Sequence, residues 1–243
     1  MNRQAFTLVE LLIVVAIIAV LVGSVIPYFE NYVRETKITK AKHEMNILKE
    51  ALIKFETLED KRFTGTDTAL LIGRYIQNVT NDPWGRPYEI DPYKASILSR
   101  GSDNTDASDD IIVDFKPPLT LTKAVWIDGD NNSHITSSDS IRLEFTRLME
   151  PGRTITFSSV PGADVDLLFS TDVNFGSFIA TQTPSSLTYL LLPVAVNDDS
   201  VFFPGSSTVQ VASGNINLLD LSGRKAAGSV GEYPALPVII QGN

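Results

Sequence analysis

The chain contains no cysteine and only two histidines in 243 residues. The lack of cysteine excludes a disulfide framework, a thiolate zinc site and a cysteine nucleophile. Basic residues are also scarce, since 20 Lys and Arg stand against 29 Asp and Glu and give a formal net charge of −9. We therefore expect no nucleic-acid partner, because such a protein needs a basic surface that displaces counterions from phosphate. No catalytic constellation emerges from the remaining residue types, so the sequence predicts a protein that is not an enzyme.

Charge is almost missing from the N-terminal segment, which reads MNRQAFTLVELLIVVAIIAVLVGSVIPYFENY. Residues 11–22 form an unbroken apolar run that extends through Gly23 and Ser24 to Pro27. A bilayer requires about 20 such residues, so the segment is long enough to span it. A secretory signal would end at a small-x-small cleavage site before a polar mature start, and this segment lacks that ending. The sequence therefore predicts a membrane-spanning helix.

The more polar stretch that follows has the periodicity of an amphipathic helix. Six apolar residues recur at alternating intervals of three and four, and Lys and Glu occupy the other faces: Ile38, Ala41, Met45, Leu48, Leu52 and Phe55. Joined to the apolar segment, this stretch predicts one helix of about 50 residues, roughly 75 Å long. Half of that helix would lie in lipid, and the other half would carry a folded domain.

The stretch FTLVELLIVVAIIAVLVGSVIP resembles the N-terminal segment of type IV pilins and type II secretion pseudopilins. The resemblance implies a leader at residues 1–5 and a membrane and filament-core helix at residues 6–27. It also implies that prepilin peptidase cuts between Ala5 and Phe6 and methylates the new amino group of Phe6. One departure is that the family usually has glycine where this chain has Ala5.

Glu10 is the unusual residue in this segment, because it places a carboxylate at the head of an apolar run. A carboxylate at the centre of a bilayer costs about 2.5–3.5 kcal/mol on insertion scales, unless a partner or a function offsets that cost. The resemblance implies that the partner is the α-amino group of Phe6, on the same or the adjacent subunit. The alternative is that Glu10 lies among the lipid headgroups and is only solvated.

Residues 28–116 resemble the globular domain of the major pseudopilins. The resemblance implies a helix, a short second helix and an Asp-Pro-Trp-Gly turn that enters a small antiparallel sheet. The residues of the turn agree with this, because Asp82 can accept hydrogen bonds from the following backbone, Pro83 fixes φ and Gly85 admits a positive φ. We expect Trp84 to pack against the helix.

The first acidic loop, residues 99–110, contains four aspartates between positions 102 and 110 and no basic residue there. Such a run repels itself unless water or a cation neutralises it. The matching loop of the major pseudopilins binds calcium, which implies that the side chains of Asp103 and Asp109 are ligands here. Asp110 and the carbonyl of Arg100 are further candidates. The alternative is an exposed acidic loop without metal.

The second acidic loop, residues 128–139, reads DGDNNSHITSSD and has the spacing of a calcium-binding loop. Oxygen-bearing residues stand at its positions 1, 3, 5, 7 and 12, with His134 contributing its carbonyl: Asp128, Asp130, Asn132, His134 and Asp139. Two departures weaken the match, because Ser133 replaces the usual glycine at position 6 and position 12 is aspartate instead of glutamate. The alternative is a hairpin loop without metal.

From residue 117 onward, short β-type runs alternate with clusters of Gly, Pro, Asn, Asp and Ser. This spacing is typical of an all-β sandwich or meander and predicts a β-rich domain at residues 117–243. Part of the region is similar to the soluble domain of tip minor pseudopilins. The whole chain is thus predicted to be α+β, with a long N-terminal helix packed on a small antiparallel sheet and an all-β C-terminal lobe.

The resemblance predicts a structural subunit of a type II secretion pseudopilus or a type IV pilus-like filament. The precursor would cross the inner membrane once, with its globular part in the periplasm or outside the cell. Prepilin peptidase would process it, and the inner-membrane assembly platform would transfer it from lipid into a helical filament of its own copies and other pseudopilins. Calcium would stabilise the globular part. The alternative is a membrane-anchored, calcium-dependent binding or adhesion module.

Overall fold

A single long helix forms the N-terminal part of the protein. The structure, a computed structural model, describes residues 8–79, 81–103, 105–160, 165–170, 181–182, 188–194, 197–200, 202–227 and 236–242. Helix α1 spans Leu8–Glu59, and its 52 residues correspond to about 78 Å. Its apolar half is long and apolar enough to cross a membrane, and the large apolar side chains between Leu8 and Ile26 are exposed. The predicted continuous helix is confirmed.

The second half of α1 buries one face, as its periodicity predicts. Ala41, Met45, Leu48 and Leu52 are at most 1% exposed. A residue of the domain also bonds to the helix, because the hydroxyl of Tyr88 donates a 2.5 Å hydrogen bond to Oε2 of Glu44. Burial, together with this bond, raises the pKa of Tyr88 far above its usual value. The apolar spacing of the sequence therefore fixes which side of the helix faces the domain.

A small antiparallel sheet follows the helix, with strands in the order β1-β2-β3. Strand β1 spans Glu89–Asp91, β2 spans Ser96–Ser99 and β3 spans Ile111–Asp114. The short second helix implied by the resemblance is absent from described residues 60–79, which form turns and an Ile72–Ile76 bridge. Gly73, with φ of 88°, donates its N–H to the carbonyl of Ile76 at 2.8 Å. This turn takes the place of a helical hydrogen-bond ladder.

The Asp-Pro-Trp-Gly turn has the geometry that its residues predict. Oδ1 of Asp82 accepts hydrogen bonds from the N–H groups of Trp84 and Arg86, at 3.0 and 2.8 Å. The other carboxylate oxygen of Asp82 accepts the hydroxyl of Ser99 at 2.8 Å. Gly85 has a φ of 89°, a conformation that other residues rarely adopt. The turn thereby directs the Arg86 side chain toward the first acidic loop.

The C-terminal region forms one eight-stranded, mixed sheet. Its strands are β4 (Leu121–Ile127), β5 (Ser140–Phe145), β6 (Ile155–Ser158), β7 (Leu167–Phe169), β8 (Thr181–Gln182), β9 (Tyr189–Pro193), β10 (Thr208–Val211) and β11 (Val238–Gln241). They are arranged in the order β8-β6-β7-β10-β11-β4-β5-β9. The predicted all-β C-terminal lobe is confirmed, and the parallel β6–β7 and β11–β4 pairs show that its sheet is not a meander. Parallel neighbours need crossover connections, which local sequence patterns do not reveal.

The chain divides into two compact units. Unit 1 comprises residues 1–61, 67–89 and 97–113, and unit 2 comprises residues 62–66, 90–96 and 114–243. Along β5, β9 and β10 of unit 2, buried and half-buried residues alternate, and the buried ones form one apolar core. Each unit contains one of the two tryptophans, Trp84 in unit 1 and Trp126 in unit 2.

Unit 2 repeats the turn geometry of unit 1. Residues 82–86 and 220–224 both read Asp-x-x-Gly-Arg. In each turn the aspartate N–H donates to the arginine carbonyl, at 2.7 and 2.9 Å, and the glycine N–H donates to the aspartate carbonyl at 2.9 Å. The aspartate Oδ1 also accepts the arginine N–H, at 2.8 and 3.0 Å. The same five-residue pattern therefore produces the same turn twice.

Arg147, which is 2% exposed, is the central buried cation of unit 2. Its guanidinium donates to the carbonyls of Pro117 at 2.5 Å and Lys94 at 3.1 Å, and also to that of Lys116. Asp114 and Asp220 lie 3.4 and 3.5 Å from its terminal nitrogens. One side chain thus ties together four separate segments of the chain.

Asp166 is a buried carboxylate of unit 2 that is held by hydrogen bonds and not by Arg147. It is fully buried and accepts hydrogen bonds from Thr156, Ile216 and Asn217, five in all, at 2.8–3.2 Å. Burial opposes its ionisation, but these donors together hold the pKa of Asp166 below its usual value. Its donors Ile216 and Asn217 lie in a loop, and the following residues 219 and 220 form only isolated bridges.

Candidate assembly and metal sites

The predicted processing point, Ala5 and Phe6, lies outside the described residues. Glu10 lies in the first turn of α1 and is exposed, with apolar neighbours along the chain on both sides. The described residues do not identify the partner of Glu10 in an assembly, so the pairing with Phe6 stays a prediction.

The first acidic loop surrounds the guanidinium of Arg86. The terminal nitrogens of Arg86 donate to three successive backbone carbonyls, those of Gly101 at 2.9 Å, Ser102 at 3.2 Å and Asp103. The sequence shows Arg86 only as the start of a strand, so its role here was not predicted. Its partners lie 15–17 residues further along the chain, and no local pattern connects them.

The carboxylates of this loop bind their own backbone. Oδ1 of Asp103 accepts the N–H groups of Thr105 and Asp106, at 2.9 and 2.7 Å. Asp109 accepts the hydroxyl of Ser102 and its N–H at 2.6 Å, and these bonds lower the pKa of Asp109. Gly101 has a φ of 63°, and a Cβ there would lie 2.5 Å from the Asp109 carbonyl oxygen. The loop therefore closes tightly around Asp109.

Basic side chains of unit 1 face this loop. A cavity of about 380 Å³ is lined by Arg34 and Lys42 of α1 together with Trp84, Asp109 and Asp110. Trp84 is half-buried at this place, and the ammonium of Lys37 lies 6.0 Å from its ring centroid, which agrees with the expected packing against the helix. The first acidic loop therefore lies close to basic side chains of the same unit, those of Arg34, Lys42 and Arg86.

Arg100 directs its side chain away from the loop. Its Nε and Nη2 each donate to a carboxylate oxygen of Glu89 at 3.0 Å, which raises the pKa of Arg100. The proposed metal contact of Arg100 through its carbonyl, and those of Asp103, Asp109 and Asp110 through their side chains, stay predictions.

The second acidic loop brings three carboxylates together. One carboxylate oxygen from each of Asp128, Asp130 and Asp139 lies within 4.8 Å of the others. Asp139 is 2% exposed, and its oxygens accept the N–H of Gly129 at 2.9 Å and the indole N–H of Trp126 at 3.2 Å. Among the ion pairs of the described residues, none joins a Lys or Arg to these three carboxylates.

The backbone of the second loop is tightly wound. Asn131 and Ser133 have positive φ values of 56° and 61°, so Ser133 adopts the conformation for which calcium loops normally use glycine at this position. Ile135, at position 8, is 5% exposed and anchors the loop in the core. A Cβ on Gly129 would lie 2.1 Å from the carbonyl oxygen of Ser138, so the loop can close only with glycine at that position.

A distant segment, residues 197–200, clamps the second loop. Asp199 accepts the N–H of Ile135 at 2.7 Å and binds Nδ1 of His134 at 2.8 Å, which raises the pKa of His134. Asn197 accepts the N–H of Ser137 at 2.8 Å. These partners lie 60–65 residues away in sequence, and the acidic stretch VNDDS was the only local signal for them.

Of the five predicted metal ligands of this loop, three converge on one place and two have side chains with other partners. The carboxylates of Asp128, Asp130 and Asp139 converge. The side-chain oxygen of Asn132 instead accepts the N–H of His134 at 2.6 Å, and the His134 ring is paired with Asp199. The ring of His134 is thus engaged elsewhere, and only its carbonyl remains as the predicted ligand.

Comparison with known proteins places the resemblance on the N-terminal half of the chain. Residues 1–26 match the prokaryotic N-terminal methylation motif. A fimbrial protein of Pseudomonas aeruginosa is 39% identical over 96 residues, which are 40% of this chain and 53% of that protein. The type II secretion system core protein G of Aeromonas hydrophila is 28% identical over 131 residues, covering 46% of this chain and 91% of that protein.

The match therefore spans about half the length of the fimbrial protein and nearly all of protein G. No solved structure matches the chain. The resemblance to type IV pilins and type II secretion pseudopilins that the first residues indicate is confirmed for the N-terminal half. These relatives are a fimbrial protein and a secretion-system component, and neither is an enzyme.

Proposed function

We propose, from the homology of its first half to a fimbrial protein and a secretion pseudopilin, that this chain is a structural subunit of a helical filament. Its precursor crosses the inner membrane once through α1. Prepilin peptidase then cuts before Phe6 and methylates the new N-terminus, in keeping with the methylation motif at residues 1–26. An assembly platform transfers the mature subunit from lipid into the filament, where it packs against its own copies and related pseudopilins.

The exposed half of α1 is the observation that carries this proposal. Thirteen large apolar side chains between Leu8 and Ile26 are 48–79% exposed. A helix that is apolar on all sides has to be covered by lipid or by other helices, since either removes its side chains from water. A filament core of packed copies provides the second environment, and the membrane provides the first.

The processing step has a direct test. Mass spectrometry of protein isolated from assembled filaments should find an N-terminus at Phe6 that carries one methyl group. An N-terminus just beyond Pro27 would instead show that ordinary signal peptidase removes the apolar half of α1, and the filament proposal would be wrong.

The role of Glu10 is tested by the variants Glu10→Val and Glu10→Asp. Valine removes an insertion cost of about 3 kcal/mol, so membrane insertion should be retained or improved. Filament incorporation should nevertheless fall, because the charge that pairs with the Phe6 amino group is lost. Glu10→Asp keeps the charge and should incorporate better than Glu10→Val. The measurement is the ratio of sheared filament protein to membrane protein, and equal ratios for Glu10→Val and the parent would leave Glu10 as a solvated residue only.

The second acidic loop is proposed to bind calcium and to stabilise unit 2. Calcium takes six to eight oxygen ligands, and the convergent carboxylates of Asp128, Asp130 and Asp139 are suited to supply three. The side chain of Asn132 and the carbonyl of His134 are the further candidates. The uncompensated negative charge of the three carboxylates supports a cation at this place.

Thermal unfolding of the full chain in detergent, in calcium and then in chelator, tests this proposal. Calcium at a hundredfold excess over its Kd should stabilise the native state by about 2.7 kcal/mol. The fluorescence of Trp126 should also change, because its indole N–H binds Asp139. Asp128→Asn with Asp130→Asn should remove both effects. The matched control is Glu150→Gln, which also removes one carboxylate of unit 2 but one that pairs with the exposed Arg153 outside the loop.

A membrane-anchored, calcium-dependent adhesion module remains the second candidate, and the convergent carboxylates of unit 2 are the observation that favours it. In that case α1 serves only as an anchor. The protein would then stay in the membrane fraction in cells that assemble filaments, whereas a filament subunit appears in the sheared fraction.

A further inference from the structure

We infer that the guanidinium of Arg86, and not calcium, neutralises and closes the first acidic loop. The resemblance to the major pseudopilins implies calcium at this loop, through Asp103, Asp109, Asp110 and the Arg100 carbonyl. The oxygen atoms of this loop do not fit a calcium site, because Arg86 already binds three of its carbonyls.

The backbone oxygens of the loop are already in use. Arg86 binds the carbonyls of Gly101, Ser102 and Asp103, three successive groups that turn toward one positive charge. A planar guanidinium presents five donors in a fixed fork and is always charged, so it can hold several oxygens at once as a metal ion does. The Asp-Pro-Trp-Gly turn fixes Arg86 through the bond from its N–H to Asp82.

Two of the predicted carboxylate ligands in the loop already accept hydrogen bonds. Asp103 accepts two amides of its own loop, and Asp109 accepts the amide and hydroxyl of Ser102. The second oxygen of Asp109, Oδ1, is buried without a hydrogen-bond partner in the described part of the chain. Oδ1 of Asp109, the second oxygen of Asp103 and the carboxylate of Asp110 stay outside these bonds, and they offer at most four of the six to eight oxygens that calcium requires.

The electrostatic setting differs between the two acidic loops. Around the first loop, Arg86 binds the carbonyls, and Arg34 and Lys42 line the cavity that contains Asp109 and Asp110. Around the second loop, the described ion pairs include no Lys or Arg partner for the converging aspartates. The guanidinium of Arg86 therefore lies at the first loop with two further basic side chains nearby, whereas within the described residues no Lys or Arg pairs with the aspartates of the second loop.

The experiment uses the full chain in detergent, in a background that carries Asp128→Asn and Asp130→Asn. These changes remove the proposed calcium binding of the second loop. Trp84 fluorescence and hydrogen exchange of the peptide 101–110 report on the first loop. With Arg86 intact, neither readout should change between calcium and chelator. Because the background lacks the proposed calcium site and filament assembly is not measured, failure here leaves the proposed function untouched.

The variant Arg86→Met then tests the cation directly. Exchange of peptide 101–110 should become about tenfold faster or more, because each carbonyl loses a charge-assisted hydrogen bond. Calcium should slow this exchange in Arg86→Met, because the carbonyls that lose the guanidinium and the nearby carboxylates can then bind a cation. The control is Arg100→Met, which removes an equal charge that binds Glu89 outside the loop.

Two results would overturn the inference. The first is a calcium response of Trp84 or of peptide 101–110 with Arg86 intact, abolished by Asp103→Asn and Asp109→Asn. The second is an exchange rate in Arg86→Met no faster than in Arg100→Met.

Discussion

Replacing Arg147 by methionine should cause the largest loss of stability in unit 2. The side chain is 2% exposed, and its guanidinium binds the carbonyls of Lys94, Lys116 and Pro117 and faces Asp114 and Asp220. Methionine fills a similar volume but leaves three carbonyls and two carboxylates without this donor. Removing one partner of a buried ion pair costs about 3–5 kcal/mol when the other partner is left uncompensated. Asp114 and Asp220 keep their contacts with Arg224, so the loss comes chiefly from the three carbonyls and the lower end of this range applies.

The expected loss can be measured as a shift of the unfolding temperature of unit 2. At 2–4 °C per kcal/mol for a protein of this size, a loss of about 3 kcal/mol corresponds to roughly 6–12 °C. A Trp84→Phe background leaves Trp126 as the only tryptophan, so its fluorescence follows unit 2 alone. Arg147→Lys, which keeps the charge but not the fork, should lie between the parent and Arg147→Met.

Arg153→Met is the matched control, because Arg153 is 44% exposed and pairs with Glu150 at 3.1 Å. A surface pair of this kind contributes about 1 kcal/mol at most. If Arg147→Met lost no more than this control, the three carbonyls and two carboxylates would not depend on the guanidinium, and the reasoning from burial would be refuted.

Three further predictions concern unit 2. Asp166 has a lowered pKa, so its contribution should be complete above the unfolded pKa of about 3.9 and lost as pH falls through the lowered folded-state pKa. Asp166→Asn should therefore destabilise by about 1.5–3 kcal/mol at pH 7 and by progressively less as pH falls below about 3.9, and a loss that stays constant with pH in denaturant titrations would contradict this. Gly129→Ala should destabilise by about 1–3 kcal/mol, because its Cβ meets the Ser138 carbonyl, and an unfolding midpoint equal to that of the parent would show that the loop opens freely. Ser133→Gly should relieve about 1 kcal/mol of left-handed backbone strain and tighten calcium binding in a calorimetric titration, whereas Ser137→Gly, without a positive φ, should not.

Features with a local cause could be predicted from the sequence. The spacing of Ala41, Met45, Leu48 and Leu52 gives the buried face of α1, since helical periodicity depends only on neighbours three and four positions away. The Asp82 turn follows from the hydrogen-bonding and φ preferences of four adjacent residues. The converging aspartates of the second loop follow from a 12-residue spacing. In each case the interacting groups lie within one short segment.

Features that depend on distant segments could not be predicted. The parallel pairing of β11 with β4 joins Ile240 to Ala124, and no local pattern encodes that register. Asp199 reaches the second loop across 65 residues, and Arg147 reaches Asp220 across 73. An arginine or aspartate outside a motif looks like a solvated surface residue in the sequence. Burial distinguishes such residues, and burial is a property of the folded chain.

The exposed half of α1 constrains how a subunit can leave the membrane. Covering the remaining exposed surface of thirteen large apolar side chains between Leu8 and Ile26 is worth on the order of 10–20 kcal/mol. A subunit released into water would forfeit this energy, so a free aqueous intermediate would be populated less than one time in ten million at equilibrium. Under the proposed function, release from lipid and docking onto the growing end are therefore expected to occur in a single step, in which each helical turn that leaves the bilayer already contacts neighbouring helices.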